Sequence, residues 1–358
     1  MNAVEFTDLI ADFGDLCLEV NESLVQHQLY ATMQSIEQLK IKLVTGISDE
    51  KQVAMPFTKS ILQKPSNTFN PVGGAVDFVP RKWKMRAWAV DLQFKLREFN
   101  ETFLMHYKSA SRDIRESMDL AEYMLRMLVM QLKEDLEVAI WQGEHNAAAA
   151  AANVAEPLEV VDGFLKLIAD AITAGDIAAP VVTGAITNVN AVTAFEDMYL
   201  ALGNKNKARL SYTYASYENV IKFISNYIAL NGANNSIIAY VFEKWLKNQS
   251  NASATAVRGF EMQSGDFLPM IPLPISGGSN MIVPVWGMGN SNRLIIESRH
   301  NGGVMQVGMG SEKDLLNLNS DIDIPNRAFN VIMDGSIATQ IACFDINGET
   351  YLTANDTP

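Results

Sequence analysis

The chain has 358 residues, 48% of them hydrophobic and 19% charged, and carries a formal net charge of −13. That length gives room for two or three compact units, and the acidic balance argues against a nonspecific grip on nucleic acid, which needs dense Lys and Arg facing phosphate. No apolar run approaches the roughly 18 residues of a membrane-spanning helix, no basic start leads into an apolar block, and Cys17 and Cys343 stand far apart, so a membrane protein, a disulfide framework and a zinc ribbon are all disfavoured and a soluble, unsecreted product is expected.

From Glu5 to Leu43 the apolar residues Phe6, Leu9, Phe13, Leu16, Val20 and Leu24 recur at three- and four-residue steps with acids between them, which predicts a helical lead-in arm. Residues 56–83 are rich in Pro, Asn and Gly and read as turns. From Trp83 to Phe103 apolar residues alternate on two parities, Trp83, Met85, Ala87 and Ala89 on one and Trp88, Val90, Leu92 and Phe94 on the other. This predicts long strands in a projecting hairpin that cannot supply its own core and that another subunit must cover. Residues 80–115 hold nine bases against four acids, a basic island in an acidic chain that is suited to an acidic neighbour or to water.

Ser117–Gln142 is the clearest element. Ala121, Leu125, Leu128, Leu132, Leu136 and Ala139 share one face of a helix about 40 Å long. Glu134, Asp135, Glu137, Lys133 and Arg126 occupy much of the remainder, the methionines 118, 124, 127 and 130 are assigned to core packing, and Gly143 is the expected stop. The state of Ala147–Ala152 is left open. A short amphipathic helix follows from Asp162 to about Gly175, then a strand or turn over 180–188, a helix over Asn190–Leu202, a strand at Leu210–Tyr214 and a helix at Ser216–Leu230. From Val257 onward the pattern is short strands and turns. The glycines at 302–303 and 308–310 read as loop, and Asp334-Gly335 reads as a turn joining strands Phe329–Met333 and Ile337–Phe344, with a further turn at Asn347-Gly348. The fold class is α+β.

No phosphate loop, nucleophile elbow or metal spacing occurs. His27, His106, His145 and His300 are isolated, and Asp321, Asp323 and Asp334 lack the twelve-residue calcium pattern. The sequence therefore nominates no catalytic, cofactor-binding or metal-ligating residue, needs no cofactor, and points away from an enzyme.

The order of elements carries a resemblance. An acidic arm precedes a turn-rich hairpin with Trp83-Lys84-Met85-Arg86-Ala87-Trp88, and a long helix ends in Ile140-Trp141-Gln142-Gly143-Glu144 before Pro157-Leu158-Glu159-Val160-Val161-Asp162-Gly163-Phe164. This resembles the major capsid proteins of tailed bacteriophages. The resemblance implies an N-terminal arm (1–55), an extended β-hairpin loop lapping a neighbour (56–108), a peripheral domain with the long spine helix (109–180 and 325–352) and an axial domain (181–324). It implies pentamers and hexamers of the chain forming an icosahedral shell around DNA that is not read by sequence. Decoration, portal or scaffolding proteins are further partners, no membrane is involved, and assembly takes place in the host cytoplasm to give a virion capsid. Arg81, Lys82, Trp83, Lys84, Arg86, Trp88 and Phe94 are the candidate inter-subunit contacts. No lysine is singled out for a covalent link. The other readings weighed are a different virion or tail component, such as a tube or sheath subunit, an unrecognised α+β enzyme, and a nucleic-acid-binding module.

Overall fold

In the computed structural model the residues described are 33–39, 41–47, 52–58, 62–65, 68, 76–95, 120–148, 156–177, 179–231, 270–298, 304–310, 319–323, 328–342, 345–346, 349–350 and 352–357. The helices are α1 (Gln34–Glu37), α2 (Leu120–Gln142), α3 (Phe164–Ala174), α4 (Ala191–Leu200), α5 (Asn204–Lys207) and α6 (Tyr217–Asn231). The strands are β1 (Lys42–Val44), β2 (Gln52–Thr58), β3 (Val76–Lys82), β4 (Arg86–Lys95), β5 (Ser211–Ser216), β6 (Ile271–Pro272), β7 (Asn280–Val285) and β8 (Ile295–Ser298). The later ones are β9 (Met305–Met309), β10 (Asn319–Asp323), β11 (Ala328–Ile341), β12 (Asp345–Ile346), β13 (Glu349–Thr350) and β14 (Leu352–Ala354). The fold is α+β. Among the described residues no helix is long and apolar enough to cross a membrane.

One five-stranded sheet runs β14-β8-β5-β7-β6, with β5 and β7 parallel and the other pairs antiparallel. Strand side chains alternate between faces, and here both faces are covered. Tyr214, Val283, Ile295 and Ala354 lie in one cross-strand row and enter the core beneath α2. The neighbouring residues Ala215, Ile282 and Ile296 enter a second core with α4 and α6, where Phe195 meets Phe223 at 5.0 Å between ring centroids. Burial on both sides is why these strands read as near-continuous apolar runs rather than as clean alternation.

The second five-stranded sheet is built around β11. Strand β4 runs antiparallel along one edge of it, from Lys95 opposite Ala328 to Arg86 opposite Ile337. Along the other edge β10 pairs with its first part and β9 with its last, and β1 lies parallel to β9. Strands β2 and β3 form a separate antiparallel pair from Gln52 opposite Lys82 to Thr58 opposite Val76.

Several expectations are corrected here. The described part of the alternating stretch, Arg86–Lys95, is a sheet strand whose partner is β11 and not a neighbouring strand of its own hairpin; the antiparallel hairpin pair is β2 with β3. Asp334-Gly335 is not a turn. Strand β11 passes straight through it, and Gly335 faces Trp88, where a Cβ would run into the indole ring at Cζ2. Gly308 is likewise in mid-strand rather than in a loop, with the Ile47 methyl and the Trp83 ring each 2.7 Å from where its Cβ would stand. In both cases glycine is present because a large side chain lies flat on the strand.

Helix α2 has no Gly or Pro in its 23 residues, so nothing in its backbone interrupts it. Leu132, Leu136 and Ala139 are buried as the apolar spacing predicts and Ile140 is buried beside them, whereas Met127 is 39% exposed, against its assignment to the core. Helix α3 ends at Gly175, which takes the left-handed conformation with φ 75° and returns its amide to Ala171 and Ile172. The lead-in helix expected over Glu5–Leu43 lies mostly outside the described residues; within them the chain makes only the one-turn α1 and then β1. Cys17, Cys343, His27, His106, His300 and the turn at Asn347-Gly348 also lie outside them.

Candidate assembly surfaces

The sequence-nominated contact residues separate by environment. Arg81 and Lys82 close strand β3 opposite Val53 and Gln52. Lys82 and Lys84 are exposed and Arg86 is half-buried. Phe94 stands in β4 opposite Phe329. The two tryptophans go inward: Trp83 is 1% exposed, packed with Ile47 and Ala338, and Trp88 is 5% exposed in the core under α2. The premise that another subunit must cover these indoles is therefore corrected, because their own chain does so.

Apolar surface that the sequence reading did not single out lies elsewhere. Val182 and Val189, on the turns leading into α4, are 80% and 83% exposed. On α6, Val220, Phe223 and Tyr227 face the second core while Ile221 and Leu230 are 57% and 64% exposed. The signal for this was present in the sequence, since α6 carries more apolar residues than one buried stripe can use.

Two buried polar clusters tie distant segments to this frame. In the first, Glu137 of α2 is fully buried although it was grouped with the polar side of the helix. Its Oε1 accepts from Ser35 Oγ at 2.5 Å and from the Trp141 indole N–H at 3.3 Å, and its Oε2 accepts from the Ser35 amide at 3.3 Å. Trp141 also donates to Ser35 Oγ at 2.7 Å. Burial, opposed by these hydrogen bonds and by Lys133, raises the carboxyl from 4.5 to about 7. Next to it, Gln34 donates to the Pro284 carbonyl at 3.1 Å and accepts from the Trp286 amide at 3.4 Å.

In the second cluster Asn355 is fully buried. Its side chain accepts from the Leu294 amide at 2.9 Å and donates to Thr183 Oγ1 and the Asn292 carbonyl at 2.9 and 3.0 Å. The Arg293 guanidinium donates to the Asn355 carbonyl, and burial lowers its pKa against the attraction of Asp356. The Thr183 and Gly184 amides donate to Asp356 and lower its pKa. A second buried carboxylate, Glu297, accepts from Tyr214 Oη at 2.7 Å and from the amides of Val304 and Met305.

These clusters are hydrogen-bonded to backbone and to neighbouring side chains rather than aimed into a cleft. Among the described residues no group of three or more His, Cys, Asp and Glu is placed to hold a metal ion. Asp321 and Asp323 sit in β10, and His145 turns its Nδ1 toward the carbonyls of Glu159 and Val160.

No protein-family model matches the chain, and no curated protein matches it either. Solved structures do. A chain in the structure of the satellite phage P4 procapsid including size determination (Sid) protein superposes with a TM-score of 0.51 at 9% identity, covering 92% of this chain and 98% of that one. A chain of the capsid of the empty GTA particle gives 0.48 at 11% identity over 90% of each chain, and one from the capsid of Myoviridae phage XM1 gives 0.48 at 10% identity, also over 90% of each. The α+β fold thus resembles those of phage capsid-like structures.

Proposed function

We propose that this chain is a structural, self-assembling protein, specifically a major capsid protein whose copies associate as pentamers and hexamers into an icosahedral shell enclosing viral DNA. The observation that carries this reading is the likeness to the satellite phage P4 procapsid chain, which takes in nearly the whole of both chains. Surface chemistry supports it. Val182, Val189, Ile221 and Leu230 are large apolar side chains left in water by the single chain, and contact with further copies would bury them.

On this reading residues 1–55 form the arm, 56–108 the loop lapping a neighbour, 109–180 with 325–352 the peripheral domain, and 181–324 the axial domain. The exposed Lys82 and Lys84 steer the loop toward an acidic surface of the next copy. The net charge of −13 suits a wall that surrounds DNA without gripping it. Portal, scaffolding and decoration proteins are the further partners, and the mature location is the virion, after assembly in the host cytoplasm.

Electron microscopy and sedimentation velocity of the purified full chain test the proposal. Closed icosahedral particles or five- and six-membered rings are the expected result. A protein that stays at monomer mass over a wide range of concentration and salt overturns it.

A further inference from the structure

Ser35 and Glu137 are 102 residues apart in sequence, yet they share a buried hydrogen bond. Met33 and Leu39, at the two ends of segment 33–39, are both buried in the core beneath α2. We propose that Met33–Leu39 is a protonation-gated latch, seated on α2 while the Glu137 carboxyl is neutral and released from it when that carboxyl ionises.

The geometry makes the two events one. Ser35 lies directly on the carboxyl through both its hydroxyl and its amide, and Trp141 one helical turn on donates to both partners. Lifting the segment removes the cover from Glu137 and lets water reach it. While the segment is seated, an ionised Glu137 has three hydrogen bonds and little else to offset its desolvation. The charges around it do not reverse this. On its own helix Lys133 favours ionisation, but less than burial opposes it. On the latch Glu37 is exposed to solvent, and the turn Trp286–Met288 brings no ionisable group. On the sheet side Tyr214 meets Trp141 at 5.7 Å between centroids, and its hydroxyl is committed to Glu297, which is itself held by two amides. On α3 Lys166 pairs with Glu144 and Asp170 at the surface.

The sign follows from linkage. The seated carboxyl titrates near 7 and the released, hydrated one near 4.5. The stabilisation of the seated state by protonation is therefore complete below the lower value and is lost as pH rises through the upper one. Between about pH 6 and about pH 8.5 this linkage raises the opening equilibrium about tenfold.

Hydrogen exchange followed by mass spectrometry on the unassembled full chain reads this directly, after correction for the intrinsic pH dependence of exchange. The reporters are the amides of Ile36, Glu37, Gln38, Leu39 and Ile41, which donate to Met33, Gln34 and Ser35 carbonyls. The expected result is about a tenfold loss of protection across that range in the parent, and a flat profile, within about twofold, in Glu137→Gln. Ser35→Ala is expected to lower protection at every pH while leaving the pH dependence at least as steep, because it removes a donor that opposes the raised Glu137 pKa, which separates a structural contact from the titrating one. A parent profile without pH dependence overturns the latch, as does the same slope persisting in Glu137→Gln. Should Glu137→Gln not fold, carboxyl carbon NMR of the parent decides: a glutamate titrating near 7 upholds the latch, and titration of every glutamate below about 5.5 overturns it. The latch does not rest on shell formation, so a chain that never assembles leaves this result standing.

Discussion

Gly163 occupies a place where backbone, not side chain, sets the limit. Its φ of −74° and ψ of 169° suit any residue, so Gly163→Ala introduces no backbone strain. A Cβ there would stand 2.7 Å from the Gly143 amide nitrogen and 2.7 Å from both the carbonyl carbon and oxygen of Trp141, where ordinary contact begins at 3.4 Å. Helix α2 and the entry to α3 would have to separate by several tenths of an ångström, and the 2.7 Å hydrogen bond from the Gly163 amide to the Gly143 carbonyl would stretch. Overpacking of this kind costs about 1–3 kcal/mol, and backbone atoms that cannot rotate away place it at the upper end. A weakened hydrogen bond adds about 1 kcal/mol. The lower chain entropy of alanine in the unfolded state returns about 0.5–1 kcal/mol. The net expectation is a destabilisation of about 3 kcal/mol, measured by urea unfolding of the unassembled chain. Gly203→Ala is the control, because its φ of −59° and ψ of 146° suit alanine and nothing lies within 4 Å of its Cβ position, so only the chain-entropy gain of about 0.5–1 kcal/mol applies and stability should hold or rise. A Gly163→Ala protein as stable as that control would refute the reasoning.

Leu136→Ala, at a side chain only 4% exposed, should cost about 2–5 kcal/mol, while Met127→Ala at 39% exposure should cost under about 1, both read from urea midpoints. Gly335→Ala should displace the Trp88 indole and destabilise the chain by about 1–3 kcal/mol, with a changed near-ultraviolet dichroism spectrum reporting the moved ring. Reversing Lys82 and Lys84 to Glu should leave stability within about 0.5 kcal/mol, because both are exposed, yet slow assembly in low salt by light scattering. The difference from the parent should vanish at high ionic strength.

The helices were legible because each carries its own signal: the four- and three-residue spacing through Leu132 and Leu136, and Gly175 as a stop. The strand partners were not. Alternation from Trp83 onward says that a strand has two faces but not which strand lies beside it, and β4 pairs with residues some 250 positions later. Asp334-Gly335 misled for a related reason. That dipeptide is a turn signal only while nothing needs the space over the glycine, and Trp88, which needs it, is remote in sequence. Glu137 was misplaced because helical periodicity describes one covered face, and α2 has a second cover in segment 33–39. Trp141 four residues on, placed to share a buried hydrogen bond, was the available clue.

The pairing of β4 with β11 also sets a timetable for biosynthesis. Arg86 cannot meet Ile337 until roughly 250 further residues have been made, which at 5–20 residues per second is on the order of 10–50 s. Throughout that interval the Trp88 ring and one unpaired edge of β4 are without their native cover. The first sheet waits still longer, since its edge strand is Leu352–Ala354. The nascent chain thus leaves the ribosome with two incomplete sheets and a long-lived sticky edge. Both sheets stay open until the residues up to about 354 have been made, and through that interval association by the unpaired edge competes with native pairing.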